Sequence, residues 1–280
     1  MKRFILHLSI LGMILLISSE LIIRILNLSR PPLNKIKNEG FTLFAPYQSG
    51  EMVFGNFGDI RAKFNINQQG YNSVHDYDEL FVGQKYAIVG DSFIEGWHED
   101  VNSSIGRRVE NMLPQTRVHE YGRSGWNAHN YLQLCNKVGN KYDQIFVICA
   151  VSDFLEERAN HHIINSGILK KIVVKSRLFC YLYYNKKYAS IFKSKQPESA
   201  DVVVRKEWPD NQISLLQKKF PDNVVWIWRD TEASLLLSDT IITIKHDLKP
   251  YNYGLLDGHW NSNGRQNAAK TIVALIKAAD

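Results

Sequence analysis

Two rhythms of apolar and polar residues alternate along most of this 280-residue chain. Short strand-like segments stand at 85–89, 117–121, 144–150 and 224–228, with a shorter one at 241–244. The third is apolar at nearly every position, as a central parallel strand buried on both faces must be. Between these segments apolar residues recur at helical spacing. Ile105, Val109, Met112 and Leu113 do so between Ser103, a cap, and Pro114, a stop. Tyr131, Leu134, Cys135 and Val138 form a second such face, closed by Gly139. Ile213, Leu216 and Phe220 form a third, ended by Pro221, and Ala268, Ala269, Ile272, Leu275 and Ile276 line a terminal helix. Strands alternating with helices predict an α/β fold, a three-layer doubly wound parallel sheet.

The regions outside this alternation read differently. Residues 4–26 are largely apolar, long enough to cross a bilayer, and Lys2 and Arg3 ahead of them favour a cytoplasmic amino terminus. Glu20 and Arg24 can pair one turn apart, and Arg30-Pro31-Pro32 ends the helix. A cleaved signal peptide is the competing reading, although no Ala-x-Ala pattern precedes Glu20. Residues 41–82, rich in Gly, Asn, Asp and aromatics, predict a small β-rich layer, with strand alternation at 62–67 and a turn at Gln68-Gln69-Gly70. The expected boundaries are therefore an anchor over 1–30, a lead-in over 31–83 and the main domain over 84–280.

Within that main domain, about 158–205 forms an insertion. Residues 159–195 contain no acid, while Lys170, Lys171, Lys175, Arg177, Lys186, Lys187, Lys193 and Lys195 alternate with tyrosines and Phe192. This is either a face for anionic lipid headgroups or acidic glycans, or a solvated surface over an apolar stripe. The net charge of +6 is compatible with an anionic partner without identifying it. Three cysteines, Cys135, Cys149 and Cys180, lack metal-ligand spacing, and their odd number argues against a disulfide framework.

Two stretches carry chemistry. The first strand runs into Gly90-Asp91-Ser92, with Gly96 closing the turn, so Ser92 lies where α/β sheets place reactive groups. Near the other end, Asp257-Gly258-His259-Trp260-Asn261 precedes the last helix. A carboxylate two positions from a histidine can fix its ring while the imidazole accepts a serine proton. The pair could instead ligate a metal, though no third ligand has suitable spacing, or satisfy loop backbone groups. Asp91 reads as structural, accepting turn N–H groups, and His161 and His162 as surface residues. Trp97, Trp126 and Trp260 flank the site blocks, as apolar packing or as sugar-stacking platforms.

Taken together, Gly90-Asp91-Ser92-Phe93, the glycine loop Gly122-Arg123-Ser124-Gly125, Asp153 after the third strand and Asp257-x-His259-Trp260-Asn261-x-x-Gly264 resemble the SGNH (GDSL-type) hydrolase family, in its membrane-anchored bacterial form. The likeness runs over 62–279. It implies a five-stranded parallel sheet of SGNH/flavodoxin-like type and hydrolysis, or sometimes transfer, of acyl esters. It also implies Ser92 as nucleophile, His259 as base, Asp257 as its orienter and Gly125 as an oxyanion donor. Glu120 replaces the usual Asn of the second block, and Ser152 occupies the oxyanion position where the family carries Asn. The Asp-x-His-Trp spacing resembles alginate O-acetylation proteins, which implies sugar acetyl groups. The expectation is thus a membrane-anchored serine esterase with its domain on the periplasmic or extracellular side, acting on an O-acylated envelope glycan or another acyl ester. An O-acetyltransferase and a catalytically weak polysaccharide-binding module are the alternatives. No cofactor, metal or nucleic-acid partner is expected.

Overall fold

The structure is a computed structural model that describes residues 1–77, 80–155, 175–185, 216–229, 242–243, 250–254 and 256–279. In chain order the elements are helix α1 (Lys2–Ile25) and strands β1 (Lys35–Asn38), β2 (Phe41–Phe44), β3 (Ser49–Phe54), β4 (Ile60–Asn65) and β5 (Gln84–Gly90). Helices α2 (Ser92–Glu95) and α3 (Ile105–Met112), strand β6 (Thr116–Gly122), helix α4 (Ala128–Val138), strand β7 (Gln144–Cys149) and helix α5 (Ser152–Leu155) follow. Helix α6 (Arg177–Tyr184), strands β8 (Val224–Trp228) and β9 (Ile242–Thr243) and helix α7 (Ser262–Ala279) complete the described set.

The chain separates into two compact units. The larger comprises Leu33–Gly50, Ala62–Asn160 and Val202–Asp280. At its centre is a parallel five-stranded sheet in the order β6-β5-β7-β8-β9. Side chains alternate across each strand, so β5 sends Ala87 and Val89 to one face and Tyr86 and Ile88 to the other. On the first face they meet Tyr131, Leu134 and Cys135 of α4. On the second they meet Ile105 and Val109 of α3 and Ala268, Ala269 and Ile272 of α7. Strand β7 is buried along all but its first residue, with Ile145, Val147 and Cys149 facing α4 and Phe146 and Ile148 the opposite layer. Helices on both faces of a parallel sheet make this the three-layer doubly wound architecture expected from the alternation.

The predicted strands differ from those observed by a residue or so at their ends. Ser104, rather than Ser103, caps α3, its hydroxyl accepting from the Arg107 N–H at 3.3 Å, because Val101–Ser103 close a separate 3₁₀ turn. The β-rich lead-in consists of two two-stranded sheets, β1-β2 and β3-β4. The helix expected over 209–220 lies mostly outside the described residues, as does the basic insertion apart from 175–185.

The smaller unit comprises Met1–Pro32, Glu51–Arg61 and, among the described residues, 175–185. Helix α1 is long and apolar enough to cross a membrane, and none of its apolar window is buried within the protein. Its end is tied down by polar contacts. Asn27 donates to Glu51 at 2.8 Å, Arg61 pairs with Glu51 at 2.9 Å and donates to the Leu26 carbonyl at 2.9 Å, and Arg30 donates to the Val53 carbonyl at 3.1 Å.

Candidate active site

Strand β5 ends at Gly90 and hands the chain to a single turn of helix. Asp91 caps that turn, accepting from the Phe93 N–H at 3.0 Å, and Gly96 (φ +74°) ends it by donating to the Ser92 carbonyl at 3.2 Å. Ser92 is therefore the first helical residue at the carboxyl edge of the sheet, where backbone N–H groups have no partner in their own helix. The second oxygen of Asp91 accepts from Arg229, at the end of β8, at 3.1 Å. The same guanidinium lies 4.1 Å over the Phe93 ring and 4.0 Å from Asp153. Asp153 also accepts from the Ala150 N–H at 2.9 Å and from the Tyr131 hydroxyl at 3.1 Å. Burial, then the neighbouring Asp91 charge, raises the Asp153 pKa despite Arg229. Asp91 is thus structural, as expected.

The other half of the site comes from the loop before α7. Asn261 staples that loop, donating to the Pro250 and Asn252 carbonyls at 2.6 and 2.9 Å and accepting from the Asn263 and Gly264 N–H groups at 3.0 and 3.2 Å. Trp260 is buried edge-on to Phe93, with ring centroids 5.0 Å apart, which carries the adjacent His259 onto the Ser92 turn. His259 Nε2 lies 2.8 Å from Ser92 Oγ, joining residues 167 positions apart. Its Nδ1 is hydrogen-bonded to Asp257 Oδ1, and its backbone N–H donates to the same oxygen at 3.0 Å. Burial opposes ionisation of Asp257, but hydrogen bonds from His259 and His98 outweigh it and hold the carboxyl well below the usual carboxylate range.

His98 is the residue sequence reasoning missed. Its buried ring stacks on that of His259, centroids 4.5 Å apart and 17° from parallel, with Nε2 3.4 Å from Asp257 Oδ2. Desolvation lowers its pKa, with Asp257 acting in opposition. Neutral, it can donate Nε2–H to the carboxylate, so Asp257 lies between two histidines. The only signal in the chain is that His98 follows Ser92 by a few positions on the same loop. Asp257 and His259, left without a third metal ligand by their spacing, acquire one here, since ligand atoms of His98, Asp257 and His259 lie within 4.8 Å of one another. Those atoms are the ones that orient His259, so metal binding and the Ser92 contact are competing uses of the site.

Gly125 and Ser152 also lie at the carboxyl edge, after β6 and β7, the strands flanking β5, with Gly90 in register with Gly122 and Ile148. Gly125 is at φ +83° in a turn closed by the Trp126 N–H to the Arg123 carbonyl at 3.1 Å, and it is exposed. Among the described residues, neither its N–H nor that of Ser92 has a hydrogen-bond partner. A buried ion pair holds this turn. Arg123 and Ser124 both bond the carboxylate of Glu95 on α2, and Arg123 donates to the Thr42 carbonyl at 3.0 Å. Ser152 opens α5 and is half-buried. Glu120 points elsewhere, bonding Ser104 and the Gly106 N–H near the start of α3, with burial raising its pKa. Trp126 packs on Phe41 at 5.2 Å and, like Trp260, is a core residue; half-buried Trp97 packs edge-on to Phe44 and Phe64.

No protein-family model and no curated protein matches the chain. Solved structures do. One is a member of the lipolytic protein G-D-S-L family from Veillonella parvula, 14% identical over 70% of this chain and 99% of that one, with a TM-score of 0.34. Another is a carbohydrate acetylesterase family member from Sinorhizobium meliloti, 8% identical over 70% and 98%, with a TM-score of 0.35. A third is a carbohydrate esterase family 2 enzyme with a carbohydrate binding domain from Corynascus thermopiles (Myceliophthora fergusii), 12% identical over 70% and 66%, with a TM-score of 0.33. At such identities and scores the functional reading has to rest on the site itself.

Proposed function

We propose that the chain is a serine esterase of SGNH type, attached to a membrane by α1, that removes acyl groups, acetyl above all, from an envelope carbohydrate. The carrying observation is the line of contacts from Ser92 Oγ to His259 Nε2 at 2.8 Å and from His259 Nδ1 to Asp257. A serine hydroxyl is a weak nucleophile until an adjacent base takes its proton. In this reading His259 Nε2 accepts that proton as Ser92 Oγ bonds the ester carbonyl carbon. The same nitrogen then gives the proton to the departing sugar oxygen, and Asp257 holds the ring and balances the imidazolium. The negative oxygen of the tetrahedral intermediate is met by the free N–H groups of Ser92 and Gly125 and by the Ser152 hydroxyl. Ser152 supplies a hydroxyl where an amide would reach further, and one missing donor costs about 2.7–4 kcal/mol of transition-state stabilisation. Water, activated by His259, releases the acyl group from Ser92. A sugar hydroxyl in place of that water would make the same site an acetyltransferase, and product analysis with an oligosaccharide acceptor separates the two.

The test is covalent. A fluorophosphonate should label the folded protein on the peptide bearing Ser92, and Ser92→Ala should abolish labelling and lower hydrolysis of an activated acetyl ester by about 10⁴-fold or more. Equal rates for wild type and Ser92→Ala would remove the esterase reading and favour a binding module.

A further inference from the structure

Within the smaller unit, the carboxylate of Glu20 on α1 serves as a cap for α6. It accepts from the Ser176 hydroxyl at 2.7 Å, the Arg177 N–H at 2.9 Å and the Leu178 N–H at 2.8 Å. Arg24, one turn further along α1, donates to Glu20 at 2.7 Å and to the Lys175 carbonyl at 3.2 Å. At the other end of α6, Tyr181 donates to the Asn56 carbonyl at 3.0 Å and Asn185 to the Asn56 side chain at 2.7 Å. Helix α6 is therefore fixed to α1 at its start and to the 51–61 segment at its end.

The position of this joint along α1 matters. Eighteen residues of rise separate Lys2 from Glu20, about 27 Å, close to the roughly 30 Å of a bilayer's hydrocarbon. With Lys2 at one interface, Glu20 reaches the other, a depth at which a carboxylate needs several donors. The backbone N–H groups of α6 and Arg24 supply them. Beside the joint, an open groove of about 660 Å³ is lined by the apolar Leu16, Ile17, Leu21, Leu178 and Phe179, with Lys175 and the ion-paired Glu20 and Arg24 among its polar residues. Arg24 is balanced by Glu20, which leaves the exposed Lys175 ammonium beside an apolar lining, and that pairing is complementary to one amphiphile, a lipid with an anionic headgroup.

We propose that α6 is seated in the membrane interface, that its groove with α1 takes an acyl chain of an anionic phospholipid of the anchoring bilayer, and that α1 is consequently retained in the mature chain. Cleavage after Ser18 or Ser19 would detach the rest of α1 and destroy the setting of the Glu20 cap. The proposal does not depend on the esterase reading, because no residue of the Ser92 site takes part in it.

The experiment uses the full chain in phosphatidylcholine nanodiscs containing a small fraction of phosphatidylglycerol with a diazirine on its acyl chain. Cross-links are expected on α1 around Leu16–Leu21 and on α6 at Leu178–Phe179. Lys175→Gln should lower phosphatidylglycerol labelling of α6 by about fivefold and leave labelling by diazirine phosphatidylcholine unchanged. The Lys175 side chain is exposed, so its replacement leaves the Glu20–Arg24 joint in place. Mass analysis of the chain recovered from cell membranes should include α1. Label confined to α1, equal loss with both lipids, or a mature chain beginning at Ser19 or later would each overturn the proposal.

Discussion

Asp257 has two carboxylate oxygens, and the structure gives each a histidine. Oδ1 holds His259 by ring and backbone, and Oδ2 faces Nε2 of His98 at 3.4 Å. A carboxylate anchored through one oxygen can still swing about its own bond, and the His98 contact opposes that swing. In the proposed mechanism His98 acts through Asp257 and His259, as a positioning residue. His98→Leu keeps the volume and removes the donor. A hydrogen bond to a charged group is worth about 1.5–3 kcal/mol, and Asp257 keeps its two bonds from His259, so the lower end applies. The expected effect is about a tenfold lower kcat on an activated acetyl ester with KM unchanged. His98→Gln, whose amide can donate to the same oxygen, should recover most of the loss. Steady-state kinetics on the three proteins decide it, and equal loss in both variants would reduce His98 to packing.

At the scale of elements, the site depends on how closely β6 runs beneath α2. A Cβ placed on Gly122 would lie 2.0 Å from the Glu95 nitrogen and 2.3 Å from the Ile94 carbonyl carbon, both backbone atoms that cannot turn aside. Gly122→Ala must therefore push α2, and Ser92 with it, away from the sheet edge. Gly125, three residues on, has open space within 4 Å of where a Cβ would stand and needs glycine only for its φ of +83°. Gly125→Ala is expected to cost about 1–2 kcal/mol, the penalty of a left-handed conformation, whereas Gly122→Ala should cost more and lower activity with it. Chemical denaturation of both variants, read beside their esterase rates, checks the order. The same junction shows what was legible in the chain. Strands β5 and β7 could be read because burial on both faces writes itself as apolar residues, and Ser92, Asp257 and His259 because glycine turns and a following helix mark their blocks. The Glu95–Arg123 ion pair, the Arg229 bridge between Asp91 and Asp153, and the His98 contact left no such mark. Each joins residues far apart in sequence through one buried polar contact, and a single charged residue in a loop looks the same whether its partner is water or another loop.

For the whole molecule, buried histidines and buried carboxyls respond to acid in opposite directions. His119 on β6 stacks on Tyr77 with centroids 4.3 Å apart and has Nδ1 2.8 Å from the Tyr142 hydroxyl. Burial, helped by the positive charge of Arg117, pushes its pKa down to about 4. An unfolded histidine titrates near 6.5, so between these values the unfolded chain binds a proton that the folded chain refuses. Stability from this residue is therefore complete above about pH 6.5 and lost as pH falls towards the folded value. His98, also lowered by burial, acts in the same direction. Asp153 and Glu120 act in the other, because burial raises their pKa and the folded chain keeps protons that the unfolded one releases. Their contribution is complete below the ordinary carboxylate pKa of about 4 and fades as pH rises, so the net profile of the wild type is shallow. A variant isolates the histidine from these opposing terms. Between pH 7.5 and pH 5 the wild type should lose about 2 kcal/mol more stability than His119→Gln, measured as urea midpoints in one detergent. Parallel profiles for the two proteins would mean that His119 takes up its proton in the folded state as readily as in the unfolded one, and that its packing against Tyr77 and Tyr142 opens to water in acid.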